Sequence, residues 1–92
     1  MLTRRYIVSG VVQGVGFRYF VRRTAARLGV SGFVRNRRDG TVEVVAQSND
    51  EAVLERLLSA LREGPPHASV TSIEEEDLSS FPAQLSGFEI RL

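Results

Sequence analysis

The sequence predicts a two-layer α+β domain in the order β-α-β-β-α-β, followed by a short terminal strand. Three observations carry this. Two stretches place apolar residues at helical spacing, and each is closed by a stop signal. The runs between them are rich in β-branched and aromatic residues, as strands are. Between two of those runs stands Asp39-Gly40, a strong hairpin signal.

Taken in order, residues 5–12 alternate and read as a strand. "GVGFR" breaks it. Residues 17–28 follow as a helix, with Phe17, Phe20, Val21, Thr24, Ala25 and Leu28 on one side and Arg22, Arg23 and Arg27 on the wet side. Gly29 stops that helix. Residues 30–36 form the second strand, "RRDG" the turn, and residues 41–47 the return strand. Ser48, with Glu51 three residues on, fits a capping box for a second helix. That helix carries Val53, Leu54, Leu57, Leu58 and Leu61 on one face and ends at "GPP". Residues 68–77 make a fourth strand with an acidic end, and "GFEIRL", residues 87–92, a short last one. This is the split βαβ, or ferredoxin-like, arrangement, with two helices on one face of an antiparallel sheet. With 92 residues and no visible linker, we expect one domain over residues 1–92.

Composition narrows the chemistry. A net charge of +1 asks for neither nucleic acid nor membrane as a partner. All 12 basic residues are arginine, so Schiff-base lysine chemistry and a Walker-type lysine are excluded. With 0 cysteines there are no disulfides, no thiolate catalysis and no cysteine-ligated metal. The single histidine, His67, sits in the turn-like "GPPHAS". The start "MLTRRYIVSG" lacks the apolar core of a signal peptide, and no apolar run approaches the length of a membrane span. A cytoplasmic monomer, standing alone, is the expectation.

The fold class hosts many functions, so function must come from a site. The strand–glycine loop–helix at "VVQGVGFRYF" is a candidate. The first N–H groups of a helix lack internal partners, and the helix dipole adds positive charge there. Gly14 and Gly16 let consecutive N–H groups curl inward as an anion nest. Arg18 adds a planar fork suited to two phosphate oxygens. An arginine in a first helical turn opposes the dipole, which makes sense where an anion sits. A plain turn with a solvated arginine explains the same residues. Asn36, ending the second strand, either starts the turn or uses its amide to hold a water.

"GVVQGVGFR", residues 10–18, and "GFVRNRRDGTV", residues 32–42, resemble the two signatures of the acylphosphatase family, in order and at the usual separation. The resemblance covers essentially the whole chain. One position departs: Ser48 stands where the second signature usually closes with glycine. Serine there can cap the second helix, so a local structural change is expected, with little effect on the chemistry.

The resemblance implies hydrolysis of the carboxyl–phosphate bond of a small-molecule acyl phosphate, giving a carboxylate and inorganic phosphate. It implies that Arg18 binds the phosphoryl group with N–H groups of the loop Gln13, Gly14, Val15, Gly16, Phe17 and Arg18. Asn36 then positions the attacking water. No metal, no cofactor and no covalent enzyme intermediate are implied. Phosphoryl transfer rests mostly on positioning and charge stabilisation, and the carboxylate leaving group lessens the need for a strong base. No Asp, Glu or His lies between Gly10 and Arg38.

Other classes fit less well. An RNA-binding sheet needs exposed aromatics on its central strands, and "TVEVVAQ" offers none. A small-molecule regulatory domain is usually joined to an enzyme. Acylphosphatase-like domains also begin large carbamoyl-transferring maturation proteins, and nothing in the sequence extends past the domain. The acidic run Glu74 to Asp77 reads as a solvated strand end. Tyr6, Phe33, Phe81 and Phe88 are expected in the core or as a lid, and Tyr19 as a flank of the pocket.

Overall fold

The computed structural model describes residues 1–80 and 83–92. Phe81, expected in the core or as a lid, lies outside them. Five strands and two helices are present: β1 (Leu2–Val11), α1 (Phe17–Leu28), β2 (Ser31–Asn36), β3 (Val42–Ser48), α2 (Glu51–Glu63), β4 (Ser69–Asp77) and β5 (Phe88–Arg91). The strands form one sheet in the order β4-β1-β3-β2-β5.

The expected antiparallel sheet needs one correction. β1 runs antiparallel to β3 and β4, and β2 antiparallel to β3, but β5 lies parallel to β2, from Gly32↔Phe88 to Arg35↔Arg91. The cause is where the chain arrives. β4 ends opposite the start of β1, with Asp77 paired to Arg4. β5 begins opposite the start of β2, at that same end of the sheet, and therefore runs back alongside β2.

One face of the sheet carries the core. Tyr6, Val8, Val34, Val42 and Val44 are buried against Phe17, Val21 and Ala25 of α1 and the leucines of α2. Burying a side chain of this size contributes about 1.5–3 kcal/mol. The helical spacings thus fall on the inner faces: Leu54, Leu57, Leu58 and Leu61 are all buried, and Phe20, Leu28 and Val53 pack partly against the same core. Gly29 closes α1 with a left-handed turn, its N–H donating to Ala26 O while the N–H of Val30 reaches Ala25 O.

α2 corrects a second expectation. Its cap is Asp50, whose Oδ1 accepts from the N–H of Ala52 at 2.9 Å. Ser48 is the last residue of β3, paired with Leu2, and its Oγ accepts from the N–H of Asp50. Pairing in the sheet holds Ser48 too far back to cap the helix, so it braces the residue that does.

The other face is polar and partly covered. Glu43, 6% exposed, is held between Arg35 and Arg5, and Arg5 also pairs with Glu76. Gln47, 2% exposed, donates to Ala83 O and accepts from the N–H of Leu85, tying the β4–β5 connection over the sheet. Phe33 is also on this face, under the Arg91 guanidinium at 3.8 Å, and is neither core nor lid. Tyr6 is core, and Phe88 packs partly against it.

Candidate functional site

The site is made where β1 hands over to α1. Gly14 and Gly16 have φ of 75° and 79°, and no non-glycine residue has positive φ among the described residues. Left-handed glycines in such a loop let successive N–H groups turn toward one point. Gly16 is the cap of α1, with no side-chain cap, and no acidic residue stands in the first turn. The first backbone bond of the helix runs from Phe20 N to Gly16 O, which leaves the N–H groups of Phe17, Arg18 and Tyr19 free of helical partners. Phe17 is buried, and its ring meets Phe20 at 6.1 Å between centroids, so the start of the helix is pinned to the core.

Around this turn lies a pocket of about 90 Å³. Gly14, Gly16, Phe17 and Arg18 line it together with Asn36, Val12 and Tyr19. The structure thus brings together four of the six expected loop residues and Asn36. Gln13 and Val15 do not line the pocket. Val15 packs toward the core. The Gln13 amide donates to Arg37 O at 2.7 Å and Thr41 O at 2.9 Å.

Two features of the pocket concern charge and polarity. Among the described residues no carboxylate pairs with Arg18, as is also true of Arg22, Arg23, Arg27, Arg38, Arg56 and Arg62, but of these arginines only Arg18 lines this pocket. Asn36 Oδ1 is buried and has no hydrogen-bond partner among the described residues. Buried polar atoms are normally satisfied, so an acceptor left open beside an unpaired arginine fits a polar ligand. Asn36 is held in place by pairing with Val42 across the hairpin. At the hairpin tip, Asp39 accepts from the hydroxyl and N–H of Thr41, which holds its carboxyl below the ordinary carboxylate range.

Tyr19, 57% exposed, stands at the mouth with the Arg22 guanidinium 5.4 Å from its ring centre. The sequence marks Tyr19 as a flank because it follows Arg18, but does not single out Val12, which is buried on the same alternation as Tyr6 and Val8. A larger cavity of about 440 Å³ lies on the opposite, polar face. Its Arg5 and Arg35 are already paired with Glu43 and Glu76. Among the described residues no group of three or more His, Asp or Glu is placed to hold a metal, and no helix is long and apolar enough to cross a membrane. His67 is exposed in a turn.

Comparison with known proteins agrees with this geometry. The acylphosphatase family model matches residues 4–90. The chain is 50% identical over 91 residues to an acylphosphatase of Thiobacillus denitrificans, covering 99% of this chain and 98% of the relative. It superposes on the crystal structure of acylphosphatase from Bacillus subtilis with a TM-score of 0.93 and 40% identity, over 100% of both chains. It is also similar to HypF of T. kodakarensis, with a TM-score of 0.85 and 30% identity, but there it covers only 12% of the larger chain. The signature loop, the paired strand end and the match over nearly the full length agree: the chain belongs to the acylphosphatase family, hydrolases that act on acyl phosphates.

Proposed function

We propose that the chain, acting as one domain over residues 1–92, hydrolyses acyl phosphates by direct attack of water on phosphorus. The carrying observation is the convergence in one small pocket of an unpaired arginine, a helix start with free N–H groups and a buried amide oxygen without a partner. In this reading the phosphoryl oxygens lie against the loop N–H groups and the Arg18 fork. Asn36 Oδ1 accepts a hydrogen bond from the water and aims its lone pair at phosphorus.

The water oxygen bonds to phosphorus as the bond from phosphorus to the acyl oxygen breaks. The bonding pair leaves on the carboxylate, and the water's proton passes to a phosphoryl oxygen of the substrate. The residues lining the pocket include no carboxylate, imidazole or thiol, which favours the substrate as its own base. The charge that builds on the phosphoryl oxygens meets Arg18 and fixed dipoles, so the reading calls for neither metal nor cofactor.

The pocket's size speaks to the substrate. At about 90 Å³ it is far below the roughly 300–1,000 Å³ of sites that enclose drug-sized ligands. It suits a phosphoryl group, leaving the acyl group to pass Tyr19 toward solvent, in keeping with a permissive enzyme. The reading carries with it a cytoplasmic monomer.

The test is Asn36→Ala. It should lower kcat about 10²-fold, the cost of a misplaced reactant, and leave inhibition by inorganic phosphate nearly unchanged. A rise in KM alone would remove the water-positioning role.

A further inference from the structure

We infer that Gln13 is a positioning residue: its side-chain amide clamps the anion loop to the hairpin that carries Asn36, so that the two halves of the site share one fixed geometry. This rests on the reading of Arg18 and Asn36 given above.

The need for a clamp follows from the sheet. The ladder between β1 and β3 ends at Val8↔Val42. Beyond it, Ser9, Gly10 and Val11 pair only with β4, through a bulge. β1 and β2 are not neighbours, since β3 stands between them. Among the described residues no backbone hydrogen bond joins residues 13–16 to residues 36–41. The loop with the anion site and the strand end with Asn36 are therefore not held together by the ladder where the chemistry requires them to be.

Gln13 supplies the tie. Its Nε2 donates at 2.7 Å to Arg37 O and at 2.9 Å to Thr41 O. Two carbonyl partners fix which end of the amide is the NH₂. Those carbonyls lie at the neck of the hairpin: Thr41 O also accepts from Arg37 N, and Arg37 O from Gly40 N. Gln13 immediately precedes Gly14, and Arg37 immediately follows Asn36. The clamp thus stands one residue from each half of the site. Both amide hydrogens are occupied, and the remaining side-chain oxygen is an acceptor, which an anion repels. The Gln13 side chain is therefore no phosphate ligand.

The experiment compares Gln13→Met, nearly isosteric but without donors, with wild type on benzoyl phosphate, with inorganic phosphate as inhibitor. We expect kcat to fall about 10²-fold while phosphate inhibition changes far less. In an Asn36→Ala background the same substitution should cost little more, because both changes misplace the same water. Gln13→Glu adds a signature: its kcat relative to wild type should rise as pH falls, since the protonated acid regains one donor, whereas the ratio for Gln13→Met should stay flat. Gln13→Asn, with the amide one methylene short, is the milder variant should Gln13→Met fail to fold, and must show the same split. Equal losses in kcat and phosphate affinity, or a full additional loss on top of Asn36→Ala, would overturn the clamp alone. A folded wild-type protein without turnover would instead overturn the hydrolase reading, and the positioning role with it.

Discussion

Gly16→Ala isolates the backbone contribution to the anion site. Gly16 sits at φ 79° and ψ 16°, and a Cβ built there meets nothing within 4 Å. The substitution therefore causes no clash, and its cost is that of a left-handed conformation in an L-residue, about 1–2 kcal/mol. In a domain of this size each kcal/mol moves the melting temperature by about 4–8 °C, so a fall of about 4–16 °C is expected. Gly16→Asn should fall less, because asparagine tolerates that conformation. The functional consequence is separable. If alanine relaxes toward negative φ, the loop N–H groups diverge. The rise in melting temperature that phosphate gives by binding the folded state then shrinks. Thermal melts by circular dichroism, with and without phosphate, measure both effects. An alanine variant that melts at or above wild type, with its phosphate shift intact, would refute the reasoning that this glycine is kept for its conformation and that the conformation makes the site.

Two further outcomes follow from the same structure. Asp50→Ala should destabilise by about 1 kcal/mol, as the loss of a helix cap does, and Ser48→Ala by distinctly less; paired denaturant titrations separate them. Asp39 is held below its ordinary pKa chiefly by the Thr41 hydroxyl and N–H. Its contribution to the hairpin is therefore complete above the ordinary aspartate range and lost as pH falls through its lower folded value, so an Asp39→Asn variant should differ from wild type in melting temperature at neutral pH and converge with it in strong acid.

Much of this was legible in the sequence because local signals agreed with tertiary ones. α1 begins at Phe17 and ends at Leu28 as spacing predicts, since Gly16 and Gly29 are backbone stops and the inner residues are apolar. What was not legible depends on partners distant in sequence. The four residues of β5 carry no mark of direction, and only the end of the sheet at which the chain arrives makes them parallel to β2. Ser48 and Asp50 are both good caps by residue type, and the pairing of Ser48 with Leu2 decides between them. That Val42 to Gln47 are all buried depends on distant partners too, since Arg5 and Arg35 close over Glu43 and Ala83 and Leu85 bond to Gln47. In the site, the loop and its arginine follow from motif chemistry. The duty of the Gln13 side chain does not, because its acceptors lie 24 and 28 residues away.

The central claim is that Arg18 and the loop carry acyl phosphate hydrolysis without a metal. Its most direct test is hydrolysis of benzoyl phosphate by the purified protein in excess chelator, beside Arg18→Ala. The account predicts turnover that survives the chelator and falls about 10²–10³-fold in the variant, the loss of one contact to developing charge. Turnover abolished by the chelator and restored by a divalent cation, or an Arg18→Ala variant with wild-type kcat/KM, would contradict it.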